Sequence, residues 1–147
     1  MYIYVLIYCL ILMSSFLKVR GLYFAVSLIV GFLITTTYEM GSDWYLYEIA
    51  YDNQYILNDQ STWGIGVKWL YNLFNSIGFE FNHFYITTKI LVYIACVLFI
   101  SRYSIDKGVA FSVFILVLGV GLFVDNPFRQ MLATPFLLLA IVFVINR

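Results

Sequence analysis

The chain has 147 residues, of which 63% are hydrophobic, 20% are aromatic and only 11% are charged. A water-soluble domain of this length cannot bury so much apolar surface, because small domains leave a large share of their surface exposed. The composition therefore indicates an integral membrane protein. A formal net charge of zero, with no basic run, gives no indication of nucleic-acid binding.

Five apolar segments of 17 to 20 residues predict transmembrane helices and hence an all-α fold with one membrane domain. They are residues 1–17, 21–38, 84–101, 108–124 and 127–146. At about 1.5 Å per residue each covers roughly 26–30 Å, enough to cross the hydrocarbon core of a bilayer. The first lacks both a preceding basic region and a small-residue cleavage site, so we interpret it as a retained helix and not as a signal peptide.

Charged residues divide between the two sides of this five-helix arrangement. If the helices alternate in direction, most acidic residues fall on the side of the long connection, residues 39–83, and five basic residues fall on the other side. Those five are Lys18, Arg20, Arg102, Lys107 and Arg147. Because basic residues mark cytoplasmic loops, we predict that the N-terminus and the long acidic loop lie outside. Lys68, Lys89 and Arg129 are the basic exceptions on the outer side.

The acidic loop begins with "YEMGSDWYLYEIAY". Gly41 permits a tight turn, and Asp43 can cap a helix that begins near Trp44. Asp43, Tyr47 and Tyr51 recur at every fourth position, so they share one face of that helix. A carboxylate beside aromatic rings suits a sugar, since it accepts hydrogen bonds while the rings cover apolar sugar faces. Alternatively, Asp43 is an ordinary cap and the tyrosines form an interfacial aromatic belt.

The segment "WGIGVKWLYNLFNSIG" (Trp63–Gly78) in the same loop is amphipathic. Polar residues share one helical face: Lys68, Asn72, Asn75 and Ser76. Apolar residues share the other: Trp69, Leu70, Leu73, Phe74 and Ile77. The pattern predicts a helix lying in the outer membrane interface, with a short re-entrant segment as the alternative.

The fifth segment begins with "DNPFRQMLATPF". Asp125 or Asn126 can cap the helix, and Pro127 suits its first position. Arg129 then lies in the first turn, where unpaired N–H groups and a partial positive charge favour a phosphate or carboxylate. Pro135 should kink the helix further along. In the alternative interpretation, Arg129 only extends towards lipid headgroups.

Two of these stretches resemble, in the same order, the EpsG family of bacterial exopolysaccharide and O-antigen polymerases. "YEMGSDWYLYEIAY" is similar to the family's R-Y-x-x-G-x-D-Y-x-x-Y stretch, and "NPFRQMLATPF" is similar to its x-x-R-Q-x-x-A stretch. The matching residues are Gly41, Asp43, Tyr47, Arg129 and Gln130. Trp44 replaces a tyrosine of the family, Thr37 stands where an arginine is expected, and a family glutamate is missing near Ser61–Trp63.

The resemblance implies a polymerase at the outer face of the bacterial inner membrane. It would join oligosaccharide repeat units carried on undecaprenyl pyrophosphate. Arg129 would stabilise the pyrophosphate leaving group, and Asp43 would orient or deprotonate the acceptor hydroxyl. The substrate-binding positions would be Gly41, Tyr47, Tyr51 and Gln130. No metal-ligand spacing or dinucleotide motif occurs, so we expect neither a metal nor a cofactor.

The partners expected from this resemblance are the lipid-linked oligosaccharide, membrane lipid and other polysaccharide-assembly proteins. Family members are longer, and Arg147 directly follows the fifth segment, so we interpret the chain as the N-terminal portion of a larger multi-pass protein. Two alternatives stay open. The chain is a small membrane subunit without chemistry, or it is an inactive truncated polymerase.

Overall fold

The computed structural model describes residues 9, 13, 20–36, 44–53, 64–115 and 128–145. Six helices and no strand fall within these ranges. They are α1 (Arg20–Thr35), α2 (Trp44–Asp52), α3 (Ile65–Ser76), α4 (Phe81–Tyr103), α5 (Lys107–Val113) and α6 (Phe128–Ile145). The all-helical class predicted from the sequence is therefore confirmed for the described residues.

Among the described residues, α4 is the helix that is long and apolar enough to cross a membrane. Its 23 residues cover about 35 Å, and they include the predicted segment 84–101. Shorter apolar stretches lie in α1 (Ala25–Thr35) and α6 (Arg129–Val144). Most of segment 1–17 and the second half of segment 108–124 lie outside the described residues. The arrangement of five spans accordingly remains a prediction.

Helix α1 packs closely against α4 because it presents small residues to a tyrosine. The hydroxyl of Tyr93 donates a hydrogen bond of 2.6 Å to the backbone carbonyl of Ser27. The same ring lies over Gly31, where a Cβ atom would collide with it. Buried aliphatic residues continue this face along α1: Val26, Val30 and Ile34. Glycine at position 31 is therefore what allows the two helices to approach.

Helix α6 makes its main described contacts with α4. Met131 of α6 is fully buried, whereas the outer side of the helix exposes large apolar residues: Phe136, Leu137, Leu139, Phe143 and Val144. In water such a continuous apolar surface would be unfavourable, but lipid tails solvate it well. The helix runs through Pro135, where the sequence predicts a kink. The exposed side of α6 thus favours a lipid environment.

A glycine-dependent cap ends α3 and directs the chain into α4. Gly78 has a φ of +84°, in the left-handed region that favours glycine. Its N–H donates to the Asn75 carbonyl at 2.9 Å, and the N–H of Phe79 donates to the Phe74 carbonyl at 3.1 Å. The rings of Phe74 and Phe79 pack 5.4 Å apart. These features define a Schellman motif, so the predicted end of the amphipathic segment at Gly78 is confirmed.

Helix α3 itself is confirmed, but its faces differ from the two that the sequence suggested. The residues packed into the protein are Val67 and Tyr71, which the pattern assigned to neither face. Leu70 and Phe74 are half-buried beside them. The remaining apolar residues are exposed: Ile65, Trp69, Leu73 and Ile77. The helix therefore has an inward aromatic face and a separate outward apolar face, because packing against α2 and α4 takes only part of the apolar surface.

Candidate functional site

An aromatic cluster joins α2, α3 and the start of α4. The ring of Tyr51 lies 5.2 Å from that of Tyr71 and stacks on that of Phe84, also at 5.2 Å. Tyr71 and Phe84 meet edge to face at 5.2 Å, and Phe81 lies 5.6 Å from Tyr51. Such ring pairs stabilise a folded protein by more than the burial of their apolar surface alone. The cluster thus fixes the two helices of the long loop onto the first turn of α4.

Tyr51 also holds the turn between α3 and α4 in place. Its hydroxyl donates a hydrogen bond of 2.7 Å to the Phe79 carbonyl, and the Asn75 side-chain amide donates to the Tyr51 carbonyl at 3.4 Å. Tyr51 is 2% exposed and Tyr47, one turn earlier, is 5% exposed. Both predicted sugar-binding tyrosines therefore lie in the core, and only Tyr51 also borders an open cleft.

Residues from both stretches that resemble the family, in α2 and at the start of α6, interact electrostatically with Tyr71. Burial raises the pKa of Tyr71 well above its usual range, and the neighbouring Tyr47 raises it further, whereas the positive charge of Arg129 lowers it. Tyr51 and Tyr85 contribute smaller increases. Arg129, at the start of α6, is thus close enough to Tyr71 to act on it electrostatically. The phenol stays protonated, so it carries no negative charge that would neutralise the arginine.

The first turn of α6 presents its polar residues to the surface. Arg129 and Gln130 are exposed, while Met131 beside them is fully buried and anchors the turn. A guanidinium in this position can form a bidentate pair with a phosphate. The predicted cap and first residue of this helix, Asp125, Asn126 and Pro127, lie outside the described residues. So do Gly41 and Asp43, although α2 begins at Trp44 as expected.

Tyr51 also lines an open cleft of about 460 Å³. Carboxylates and amides line it: Glu48, Asp52, Glu80, Asn75 and Asn82. Its remaining lining includes Phe79, Phe81 and Tyr51, and ligand clefts of proteins commonly have this order of volume. Carboxylates accept hydrogen bonds from hydroxyl groups, amides can donate and accept, and aromatic rings cover apolar faces. The lining therefore suits a ligand that is rich in hydroxyl groups.

Sequence reasoning missed two parts of this region. Tyr71 escaped because a tyrosine in an amphipathic segment fits either face equally well. Lys89 was noted only as an exception to the charge rule, yet it is fully buried in α4, with Nζ 4.5 Å from the centroid of the Tyr85 ring. The signal that could have found it is a single charged residue inside a long apolar run.

Within the described residues, the structure is thus all-helical and has one helix of membrane-spanning length. Arg129 acts electrostatically on the buried Tyr71, whose neighbour Tyr51 lines an acidic cleft. Such an arrangement can pair with an anion through the guanidinium and accept hydrogen bonds from hydroxyl groups through the carboxylates. The chain belongs to the EpsG family, whose family model matches residues 20–147. No curated protein and no solved structure gives a significant match to it.

Family membership confirms the resemblance drawn from the sequence. It points to a function related to polysaccharide polymerisation and to a lipid-linked polysaccharide substrate. Membrane association is typical of the family, and α4 is compatible with it.

Proposed function

We propose that the chain is a polysaccharide polymerase component that acts at the outer face of the bacterial inner membrane. It would join oligosaccharide repeat units carried on undecaprenyl pyrophosphate. The bond between the growing glycan and its pyrophosphate breaks, and a glycosidic bond forms to a hydroxyl of the next unit. The observation that supports this proposal most is the convergence of Arg129 and the tyrosines of α2 on Tyr71, next to the acidic cleft.

In this proposal Arg129 stabilises the pyrophosphate as it leaves. Negative charge develops on the phosphate oxygen during bond breaking, and a positioned guanidinium lowers the energy of that transition state. The exposed position of Arg129 in the first turn of α6 leaves its side chain accessible to a ligand. Gln130 adds an amide donor from the same turn. The partial positive charge at the start of α6 acts in the same direction.

The acidic cleft would bind the acceptor sugar. Glu48, Asp52 and Glu80 can accept hydrogen bonds from its hydroxyl groups, while Tyr51 forms the wall shared with the Tyr71 cluster. Asp43 precedes α2, and we propose that it orients the attacking hydroxyl and takes its proton. Gly41 would allow a tight turn before Asp43, and the buried Tyr47 would help to hold the neighbouring Tyr71 in place.

We also propose how the chain lies in the membrane. If α4 spans the bilayer, the acidic cleft is at its outer end, and Arg102 in its last turn lies on the cytoplasmic side with Lys107. The outward apolar face of α3 would then rest in the outer interface, with Trp69 at headgroup depth. The directions of the other four predicted spans, and the external position of the N-terminus, would follow from the distribution of basic and acidic residues between the connections.

Complementation tests this function. The reading frame that contains the chain is expressed in a bacterium from which it has been deleted, and surface polysaccharide length is read on a gel. We expect the unchanged protein to restore long polymers and Arg129→Ala to leave single repeat units. Arg102→Ala is the matched control, since Arg102 is an exposed arginine at the other end of α4. Long polymers from Arg129→Ala would contradict the proposal.

A further inference from the structure

Helix α2 has an exposed face that carries an aromatic ring beside two carboxylates. Tyr45 is 59% exposed, whereas Tyr47 and Tyr51 of the same helix are buried. Asp52 follows Tyr45 by seven residues, so the two lie within about 20° of each other around the helix axis. Glu48 lies between them along the helix. The exposed tyrosine of α2 and the two carboxylates therefore occupy one side of the helix.

A neighbouring ring holds Tyr45 from one side. The rings of Trp44 and Tyr45 meet edge to face, with their centroids 6.0 Å apart. Trp44 is partly buried and packs against the hydrophobic core. An aromatic side chain that is held before a ligand arrives loses less conformational entropy on binding than one that rotates freely. Tyr45 is therefore suited to act as a preformed surface for a ligand.

Helix geometry connects Tyr45 to the acidic cleft. Glu48 and Asp52 both line that cleft, together with the buried Tyr51. One helical turn separates Tyr45 from Glu48, and the rise between them is about 4.5 Å. This rise is comparable to the width of one sugar ring. A ligand that fills the cleft and continues past Glu48 along α2 therefore meets the Tyr45 ring.

The charges on this face favour a water-filled site over contact with lipid tails. A carboxylate against the hydrocarbon of a bilayer is costly, and Asp52 is exposed. Leu46 is also 59% exposed, but it lies about 100° around the helix from Tyr45 and hence on a different flank. That apolar flank suits the membrane interface. An aromatic ring beside carboxylates suits a ligand that has both hydroxyl groups and apolar faces.

We infer that Tyr45 forms a second sugar subsite outside the cleft, so that the chain recognises two linked sugars of its acceptor. The inference rests on the proposed function and extends its acceptor site by one sugar. The first sugar lies in the cleft, where carboxylates and amides form hydrogen bonds with its hydroxyl groups. The adjoining sugar stacks an apolar face on the Tyr45 ring. Tyr47 and Tyr51, which the sequence predicted to contact sugar, support this site from the core.

Binding of a free oligosaccharide tests the subsite without requiring polymerisation. The probe is one repeat unit, cut from the surface polysaccharide of the bacterium by partial acid hydrolysis. The full protein that contains the chain is placed in nanodiscs of uncharged phospholipid and titrated with this probe in a calorimeter. For Tyr45→Ala we expect a loss of affinity of about three- to tenfold, the value of one aromatic contact. Tyr45→Phe keeps the ring and should bind within about twofold of the unchanged protein.

Single sugars show where the lost contact lies. Complete hydrolysis of the same oligosaccharide supplies them, and they fill the cleft without reaching Tyr45. Their weaker binding should therefore be the same for Tyr45→Ala and for the unchanged protein. An equal loss of affinity for single sugars and for the oligosaccharide would overturn the second subsite. Leu46→Ala is the matched control, because Leu46 is equally exposed on another flank of α2, and it should bind both probes like the unchanged protein.

The outcomes separate the subsite from folding and from polymerisation. Tyr45→Ala should unfold like the unchanged protein, since its side chain is exposed. Equal oligosaccharide affinities for Tyr45→Ala and Leu46→Ala would overturn the inference, even if the protein restores long polymers. Oligosaccharide binding that depends on Tyr45, in a protein that does not restore polymers, would refute the polymerase and support the subsite.

Discussion

Substitutions at Tyr51 separate the contribution of its ring from that of its hydroxyl. The ring lies 5.2 to 5.6 Å from the rings of Tyr71, Phe81 and Phe84. Tyr51→Ala removes these contacts and leaves a cavity, so the free energy of unfolding should fall by about 3–5 kcal/mol. Tyr51→Phe keeps the ring and loses only the hydrogen bond to the Phe79 carbonyl, which should cost about 0.5–1.5 kcal/mol.

Unfolding by sodium dodecyl sulfate in mixed micelles, followed by circular dichroism, measures both losses. Tyr45, on the same helix, is 59% exposed, so Tyr45→Ala is the matched control and should change stability by less than about 0.5 kcal/mol. Equal losses for Tyr51→Ala and Tyr45→Ala would refute the aromatic cluster as the joint between α2 and α4. If Tyr51→Phe lowers the free energy of unfolding as much as Tyr51→Ala does, the hydrogen bond of the hydroxyl, and not the ring contacts, accounts for the stabilisation.

Two glycines give further predictions that the same titration checks. Gly78→Ala puts a Cβ atom on a residue with positive φ, which should cost about 1–2 kcal/mol although nothing crowds the position. Gly66→Ala, in the uncrowded first turn of α3, should instead stabilise by up to about 0.5 kcal/mol, because alanine loses less backbone entropy than glycine, and a loss there would contradict the backbone argument. Gly31→Ala collides with the Tyr93 ring and should cost about 1–3 kcal/mol; unchanged stability would mean that α1 and α4 pack less closely.

Sequence patterns predicted where several helices begin and end, because the length of an apolar run and the residues at its ends determine these positions. The apolar run 84–101 predicted α4 within three residues at each end, and Trp44 was predicted as the start of α2. Gly78 marked the end of α3, since only the left-handed region allows the chain to turn there at once. These features depend on neighbours in the chain, which a sequence displays directly.

Contacts between distant segments could not be read in the same way. The burial of Tyr71 depends on which side of α3 meets α2 and α4, and a helical pattern does not contain that information. The proximity of Arg129 to Tyr71 depends likewise on the packing of α6 against α4. Tyr47 and Tyr51 were expected to face a sugar because they share a helical face with Asp43. The structure buries both tyrosines, because their rings pack into the core.

The candidate site combines two unlike groups of residues. The rings of Tyr51 and Tyr71 pack together, Arg129 acts electrostatically on Tyr71, and Tyr51 lines the cleft that holds the carboxylates. In the proposed glycosyl transfer, acidic groups beside the leaving group would raise the energy of its developing negative charge, so we propose that the arginine and the carboxylates bind different parts of the substrates.

The most direct test of the central claim is to follow the reaction itself. The full protein that contains the chain is reconstituted in liposomes with an undecaprenyl-pyrophosphate-linked repeat unit, and polymer and free undecaprenyl pyrophosphate are quantified together. The account predicts one lipid pyrophosphate released per bond formed, and a rate about 10²–10³-fold lower for Arg129→Gln. Arg102→Gln should react at the rate of the unchanged protein. Polymer formed at an unchanged rate by Arg129→Gln would contradict the account.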